Sequence, residues 1–336
     1  MADARPPQVS VVMSIYNGRV DFLAQAVESI LDQEFHDFEF LIVDDGSDAA
    51  IAQALRRYTD PRIHHVRNAT NLGLARSLNR GLKEARGIFV TRQDADDRSH
   101  PSRLGRQVEF LTCHPEVGLV GTAYAVIDDA SREMAVVKVS ACSNEELQER
   151  LKTRNGFMHG SVMLRRAWLE ELGGYRALPT CQDYDLWLRM AERHPIANLP
   201  EPLYQWRLNR AGLSVQHAAL QLWHAVLVQE FAKERRRSGA DTFHRYYNDE
   251  GQFVGQRAPV PTNPWNIPMK ESAVPYFVLA GRCLAYGDVW RAIRFGLRGL
   301  VEDPWNPSVW SLLIRRPLRR VIRRRLQDVA TSSSVS

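Results

Sequence analysis

From Val9 to Asp97 the sequence alternates strand-like and helix-like runs joined by short links. Val9 to Tyr16 is β-rich and apolar, and Phe22 to Leu31 sets Phe22, Leu23, Ala26, Val27 and Ile30 at helical spacing. Phe38 to Val43, Ile63 to Val66 and Ile88 to Thr91 read as further strands. Ile51 to Tyr58 and Leu74 to Ala85 read as the helices between them. This β-α-β-α-β-α-β order predicts a mainly parallel sheet covered by helices, because parallel neighbours need a crossover. In such sheets ligands gather at the carboxyl ends of the strands. At that edge the run Phe89-Val-Thr-Arg-Gln-Asp-Ala-Asp-Asp97 places three carboxylates within four residues. Such a cluster is costly unless a cation neutralises it, and a divalent metal carrying a diphosphate does so. The plainer alternative is a solvated acidic turn. The first strand-to-helix turn is Tyr16-Asn17-Gly18-Arg19, not G-x-G-x-x-G, which weakens a dinucleotide-binding reading.

The second half, Arg103 to about Ser214, is less regular. Arg103 to Thr112, Ser143 to Lys152 and Tyr184 to Glu192 look helical, and Val117 to Val126 extended. Leu220 to Arg237 is an amphipathic helix ending in a basic run, and Asp241 to Asn266 reads as a loop or linker. Val274 to Trp310 returns to helices. There Ala280, Gly287-Asp288, Ala292, Gly296, Gly299 and Pro304 have spacings that resemble one tetratricopeptide-like hairpin, or form a generic one.

The net charge of +5 is local in origin. Residues 315 to 325 hold seven arginines and no acid, and removing those seven charges from +5 leaves −2 for the remainder. A nucleic-acid binder would line a folded face with charge, so no nucleic-acid partner is expected. After Pro317, Leu318, Val321, Ile322 and Leu326 form a thin apolar stripe among the arginines. Such a segment suits an anionic membrane surface, or a solvated tail. No stretch is long and apolar enough to cross a bilayer and no signal-peptide core precedes Val9. Cys113, Cys142, Cys181 and Cys283 are scattered and suit a reducing compartment. The expected localisation is cytoplasmic, with peripheral contact to the inner membrane face through the tail.

Six blocks together resemble the family 2 glycosyltransferases of the GT-A fold. They are Val9-Ser-Val-Val-Met-Ser-Ile-Tyr-Asn-Gly18, Glu28-Ser-Ile-Leu-Asp-Gln33, Phe38-Glu-Phe-Leu-Ile-Val-Asp-Asp-Gly-Ser47, Asn71-Leu-Gly73, Gln93-Asp-Ala-Asp-Asp97 and Gln182-Asp-Tyr-Asp-Leu-Trp-Leu-Arg189. The match spans about Val9 to Ser214 in the family's order. It implies an α/β, Rossmann-like GT-A fold, a mainly parallel sheet flanked by helices, with a helical C-terminal extension. Residues 1–218 would form the GT-A domain, 9–97 its nucleotide-binding half and 98–218 its acceptor half. Residues 219–313 would be the extension with its linker, and 314–336 the basic tail.

Ser14, Tyr16 and Asn17 lie where the first strand opens, where Tyr16 can stack on a base and Ser14 can hydrogen-bond it. Asp44 and Asp45 end the second strand, where a carboxylate suits the imide N–H of uracil or thymine; the resemblance favours Asp45. The plain alternative is an Asp-Gly turn with Ser47 capping the next helix. Asn71-Leu-Gly73 is either a turn or, with Arg76, a helix N-terminus near the diphosphate. By resemblance Asp94 and Asp96 form the family's D-x-D element and hold Mn2+ or Mg2+. Asp96 is then the direct ligand, and Asp94 holds ribose or a metal-bound water; Asp97 is a helper or a solvated residue.

The resemblance makes Asp183 the general base, which takes the acceptor hydroxyl's proton during an inverting transfer. The competing role is to cap a helix beginning near Tyr184. His159 faces the acceptor or is structural, and Trp187, with Asp185, is structural or acceptor-lining. Trp206-Arg207 and Ser214 resemble the family's closing loop, with Asn209 where a His is common; Arg207 or Arg210 replaces it by charge. The implied function is metal-assisted transfer of a sugar from a UDP- or dTDP-type nucleoside-diphosphate sugar to a glycan or lipid-linked acceptor. The alternatives are a sugar nucleotidyltransferase, which wants a Gly-rich basic loop after the first strand, and a non-catalytic nucleotide-sugar or glycan-binding protein.

Overall fold

The computed structural model describes residues 5–139, 143–208 and 218–255, together with Leu297. The expected hairpin between Val274 and Trp310, the end of the polar segment, and the Arg-rich tail lie outside the described residues, as do Asn209, Arg210 and Ser214. The chain divides into two units, residues 1–209 with 217–259, and residues 210–216 with 260–336. The first unit carries everything described below.

Its strands are β1 (Val9–Ile15), β2 (Phe38–Asp44), β3 (Ile63–Arg67), β4 (Phe89–Asp94), β5 (Arg98–Ser99), β6 (Leu119–Ile127), β7 (Glu133–Val137), β8 (Met163–Arg165) and β9 (Ile196–Arg207). The helices are α1 (Val20–Leu31), α2 (Ala49–Leu55), α3 (Leu74–Glu84), α4 (Arg103–Cys113), α5 (Asn144–Leu151), α6 (Arg166–Glu171), α7 (Gln182–Ala191) and α8 (Ala218–Ser238). The sheet order is β3-β2-β1-β4-β8-β6-β9-β5, with β7 pairing on β6. The β3-β2-β1-β4 half is wholly parallel, as the alternation requires. Beyond it β8 runs antiparallel to both β4 and β6, while β6 and β9 are parallel.

The two faces of the sheet explain the uniformly apolar strands, since burial on both sides removes the usual alternation. Val9, Val11, Met13 and Ile15 pack in one core with Leu23, Val27 and Ile30 of α1. Val12 and Leu41 point the other way, into a core with Ala75 and Leu78 of α3. That second core continues through Tyr184, Trp187 and Met190 of α7 to Leu227, Val228, Phe231 and Ala232 of α8. It ends on Phe243 and Tyr247. The division expected at residue 218 is therefore absent from the described structure: α8 and the first part of the expected linker share the core of the sheet domain.

At Gly81 the helix α3 touches the sheet with nothing between. A Cβ there would lie 2.6 Å from Val12 Cγ1 and 3.1 Å from Val43 Cγ2. Overpacking costs about 1–3 kcal/mol and the helix gains about 1 kcal/mol from Gly to Ala. Gly81→Ala is therefore expected to lower stability by about 1 kcal/mol, the middle of the net range, in urea unfolding. An unchanged or raised midpoint would show that α3 can slide off β1 freely.

Candidate active site

Parallel pairing brings the ends of β1, β2 and β4 to one edge. Register sets Ser14 beside Val43 and Asp94, and Ile15 beside Asp44. Tyr16, one residue past β1, is 52% exposed, an aromatic face open to a ligand. Asn17 follows at φ 54°, in the left-handed region that Asn tolerates better than most residues. Its N–H donates to Ser47 Oγ at 2.9 Å, and its Oδ1 accepts from Asp48 N–H at 2.9 Å. Asn17 thus staples the loop after β1 to the loop after β2. Asp48, not Ser47, caps α2, accepting from the N–H groups of Ala50 and Ile51.

The two carboxylates after β2 differ sharply. Asp44 accepts from Ser47 N–H at 2.8 Å and pairs with Arg67 at 3.2 Å. Asp45 is buried and accepts from Asn68 Nδ2 at 2.7 Å, Leu72 N–H at 2.8 Å and Gly73 N–H at 2.9 Å. Three of its roughly four acceptor positions are thereby engaged by the scaffold. Asp45 shapes the turn that opens α3, while Asn71 Oδ1 closes the same turn on Gly73 N–H at 2.8 Å. Arg76 lies half-buried in the first turn of α3.

At the end of β4 the three acids have three environments. The guanidinium of Arg92 is buried and donates from Nη2 to Asp94 Oδ1 at 2.6 Å, leaving the Asp94 side chain 29% exposed. Asp96 is half-buried, and its main-chain carbonyl accepts from Arg207 Nε at 2.8 Å. Asp97 is buried rather than solvated; it accepts from Tyr204 Oη at 2.9 Å and from Arg207 N–H at 2.7 Å. Burial, then the charges of Asp96 and Asp94, hold its carboxyl well above the usual range.

Arg207 also donates to the carbonyl of Asp128 at 2.8 Å, to Ser131 Oγ at 3.1 Å and to Gln25 Oε1 at 2.8 Å. Every arm of this buried guanidinium grips the scaffold, where the resemblance implied a closing-loop role by charge for Arg207 or Arg210. Its work is to fix the turn that carries Asp96.

On the far side of Arg92, Nη1 donates to His159 Nδ1 at 2.9 Å, and His159 Nε2 lies 3.0 Å from Tyr175 Oη. Arg92 is always a donor, so Nδ1 accepts and the ring proton sits on Nε2, facing Tyr175. Burial, then the charge of Arg92, pushes the imidazole well below its ordinary pKa and keeps it neutral. Trp187 is fully buried behind this ring, edge-on at 5.8 Å, and its Nε1 meets no acceptor among the described residues; it backs His159.

Asp183 occupies the second position of α7, which begins two residues earlier than the sequence pattern suggests. The cap position belongs to Cys181, in the left-handed region at φ 59° and without a side-chain cap. Asp183 Oδ2 accepts from Asn155 Nδ2 at 2.9 Å. Desolvation raises its pKa, opposed by Tyr184 N–H, Asn155 and the charge of Arg92. The helix end does not need Asp183 as its cap, and the carboxylate keeps a raised proton affinity.

Asn155, Tyr175 and Arg92 were not singled out by the sequence motifs. Arg92 had one signal, an arginine two residues before Asp94 inside an apolar strand, where i and i+2 share a face. Among the described residues no three His, Cys, Asp or Glu side chains converge as a ready-made cation cage. Asp94 and Asp96 nevertheless supply hard oxygen donors, and two carboxylates suit a cation that brings phosphate oxygens and water with it. Among the described residues no helix is long and apolar enough to cross a membrane.

The family model described as glycosyl transferase family 2 matches residues 10–173. A putative glycosyltransferase, EpsE of Bacillus subtilis, is 34% identical over 231 residues, 67% of this chain and 81% of that protein. The amylovoran biosynthesis glycosyltransferase AmsE of Erwinia amylovora is 34% identical over 228 residues, 65% of this chain and 85% of its own. Among solved structures, S. aureus TarS 1-349 in complex with UDP-GlcNAc aligns with a TM-score of 0.54 at 16% identity, over 83% of this chain and 81% of that one. The mannosyltransferase PcManGT from Pyrobaculum calidifontis, in complex with GDP-Man and Mn2+, aligns with a TM-score of 0.54 at 20% identity, over 94% and 83%. These likenesses support the fold, and the sequence relatives settle the kinship: the chain is a glycosyltransferase and belongs to glycosyl transferase family 2.

Proposed function

We propose that the protein is an inverting glycosyltransferase that moves a sugar from a nucleoside-diphosphate sugar to a glycan or lipid-linked acceptor. The observation that carries this reading is the reach of one buried cation: Arg92 bonds Asp94 at 2.6 Å, and its charge also acts on Asp183. Asp94 of the D-x-D pair and the base candidate thus stand within electrostatic range of a common group. Tyr16 would stack on the base of the nucleotide, with Ser14, Asn17, Asp44 and the last acceptor position of Asp45 around it. The UDP-GlcNAc and GDP-Man complexes of the fold neighbours support a nucleotide-sugar donor, and the amylovoran relative supports a polysaccharide as product.

Asp96 and Asp94 would hold Mn2+ or Mg2+, whose chemistry is Lewis-acid neutralisation of the departing diphosphate. Asp183 would accept the proton of the attacking hydroxyl, opposite the leaving group. His159, neutral and held by Arg92, would line the acceptor side. Asp96→Ala is expected to abolish transfer and metal-dependent nucleotide binding while leaving the melting temperature within a few degrees, since one repelling carboxylate is removed. Full activity of the variant, or of the native enzyme in excess chelator, overturns the metal assignment.

Asp183→Asn is expected to keep nucleotide affinity and lose about 10²- to 10⁴-fold in turnover. A base acts in its ionised form, so activity falls as pH drops through its pKa. Because that pKa is raised, the acid limb of kcat/KM should lie above the ordinary aspartate range. Near-native turnover of the variant removes the base role.

The Arg-rich segment after Pro317 would hold the enzyme at an anionic membrane beside a lipid-linked acceptor, each basic residue contributing about 1 kcal/mol near the surface. Vesicle co-sedimentation should show binding that needs anionic lipid, falls with salt and is lost in a chain ending at Leu313. Equal sedimentation of both chains rejects the membrane role.

A further inference from the structure

Helix α8 lies beyond the residues that match the family model, which end at 173. Its hydrogen bonds nevertheless converge on the residues around Asp183. Cys181 Sγ donates to the carbonyl of Gln221 at 3.3 Å. His224 Nδ1 lies 2.6 Å from Thr180 Oγ1. Gln229 Nε2 donates to Tyr184 Oη at 3.1 Å. Successive turns of α8 therefore hold positions 180, 181 and 184, on both sides of the base candidate.

The middle contact is the best built. His224 is fully buried, and its Nε2 lies 2.6 Å from Tyr247 Oη. Tyr247 is itself buried and bridged to Phe253, so both ring nitrogens are tied to fixed partners. Burial pushes the imidazole down to about 4, and the ring stays a neutral spacer through the working range. Next to Thr180 in the chain stands Cys181, a non-glycine residue in the left-handed region at φ 59°. Such a conformation persists only where the surroundings over-determine it. The turn at Cys181 sets the first residues of α7 and so the direction of Asp183.

We propose that α8 is a working part of the active site: His224 fixes Thr180, and through it the Cys181 turn that aims Asp183, which makes His224 a positioning residue for proton acceptance. The inference rests on Asp183 being the base. It gives the helix after the sheet domain a role in the chemical step, in addition to its place in the core. A base displaced by about 1 Å loses on the order of 10²-fold in rate, while the nucleotide subsite, at the ends of β1 and β2, is untouched.

The test measures turnover on whichever UDP-, dTDP- or GDP-sugar the native enzyme consumes fastest, with affinity for the matching nucleoside diphosphate plus Mn2+ measured by calorimetry. His224→Leu should lower kcat by about 10- to 100-fold and leave nucleotide affinity unchanged. His224→Asn, which keeps a polar atom near Nδ1, should recover more turnover than His224→Gln, which keeps one near Nε2, whatever their melting temperatures. In an Asp183→Asn background, His224→Leu should cost nothing further, because a residue acting through Asp183 has nothing left to aim. Thr180→Val removes the same hydrogen bond without a cavity and serves if His224→Leu does not fold. Turnover that tracks the melting temperature across the variants, or full additivity with Asp183→Asn, overturns the proposal. An inactive Asp183→Asn beside a fully active His224→Leu removes the positioning role alone. A fully active Asp183→Asn removes the base and this inference together.

Discussion

The end of β4 concentrates negative charge that the fold must offset before any ligand arrives. Burial raises a carboxylate's proton affinity, and carboxylates this close add to it, as at Asp97. The answer is two buried arginines of different function. Arg92 neutralises Asp94 directly, and Arg207 binds the chain around Asp96 and Asp97 through its N–H to the Asp97 carboxylate and its Nε to the Asp96 carbonyl. A third buried arginine, Arg103, supports the first by donating to the carbonyls of Arg92 and Gly160 at 3.0 and 2.6 Å. Gly160 must remain glycine for this arrangement, because a Cβ there would fall 1.9 Å from Tyr204 Oη, the donor to Asp97. Strand β4, the 159–161 turn and the end of β9 are thus locked around one acidic turn.

Much of the first half was legible because its signal is local. Apolar runs and helical spacing lie within each segment, and the parallel order follows from their alternation. Strand β9 was not read, since Pro200, Glu201 and Pro202 interrupt it, and its pairing with β6 shifts register at that place. The helix start at Gln182 was also missed. No Ser, Thr, Asp or Asn occupies the cap; Cys181 does, in a backbone conformation that only the surroundings impose.

The site was legible as a set of acids and less so as a set of partners. Asp94, Asp96 and Asp183 stand in motifs, but Asn155, Tyr175 and Tyr204 reach them from distant segments and carry no local pattern. The same blindness left Trp187 open between scaffold and acceptor lining, and Arg207 open to a closing-loop role. An aromatic and an arginine near a motif read equally well as ligand contacts or as scaffold, and only burial on all sides decides. For α8, amphipathicity states that one face is buried but not against what; that face packs on α7 within the second core.

Asp183, the proposed base, sits at a helix start and still keeps a raised proton affinity. The N-terminal N–H groups and the helix dipole favour the ionised carboxylate, which lowers proton affinity. Here Tyr184 N–H, Asn155 and Arg92 all pull that way, yet desolvation exceeds their combined effect and the pKa is raised. The carboxylate stands at the second helical position, with Cys181 at the cap, and takes a helix-end N–H from Tyr184 without losing its raised proton affinity. The left-handed turn at Cys181 is the structural cost of that placement, and the contacts from α8 stand where that cost must be offset. Strain at the turn, burial at the carboxylate and the grip of α8 are consequently three sides of one requirement: a carboxylate that is held in place and still able to take a proton.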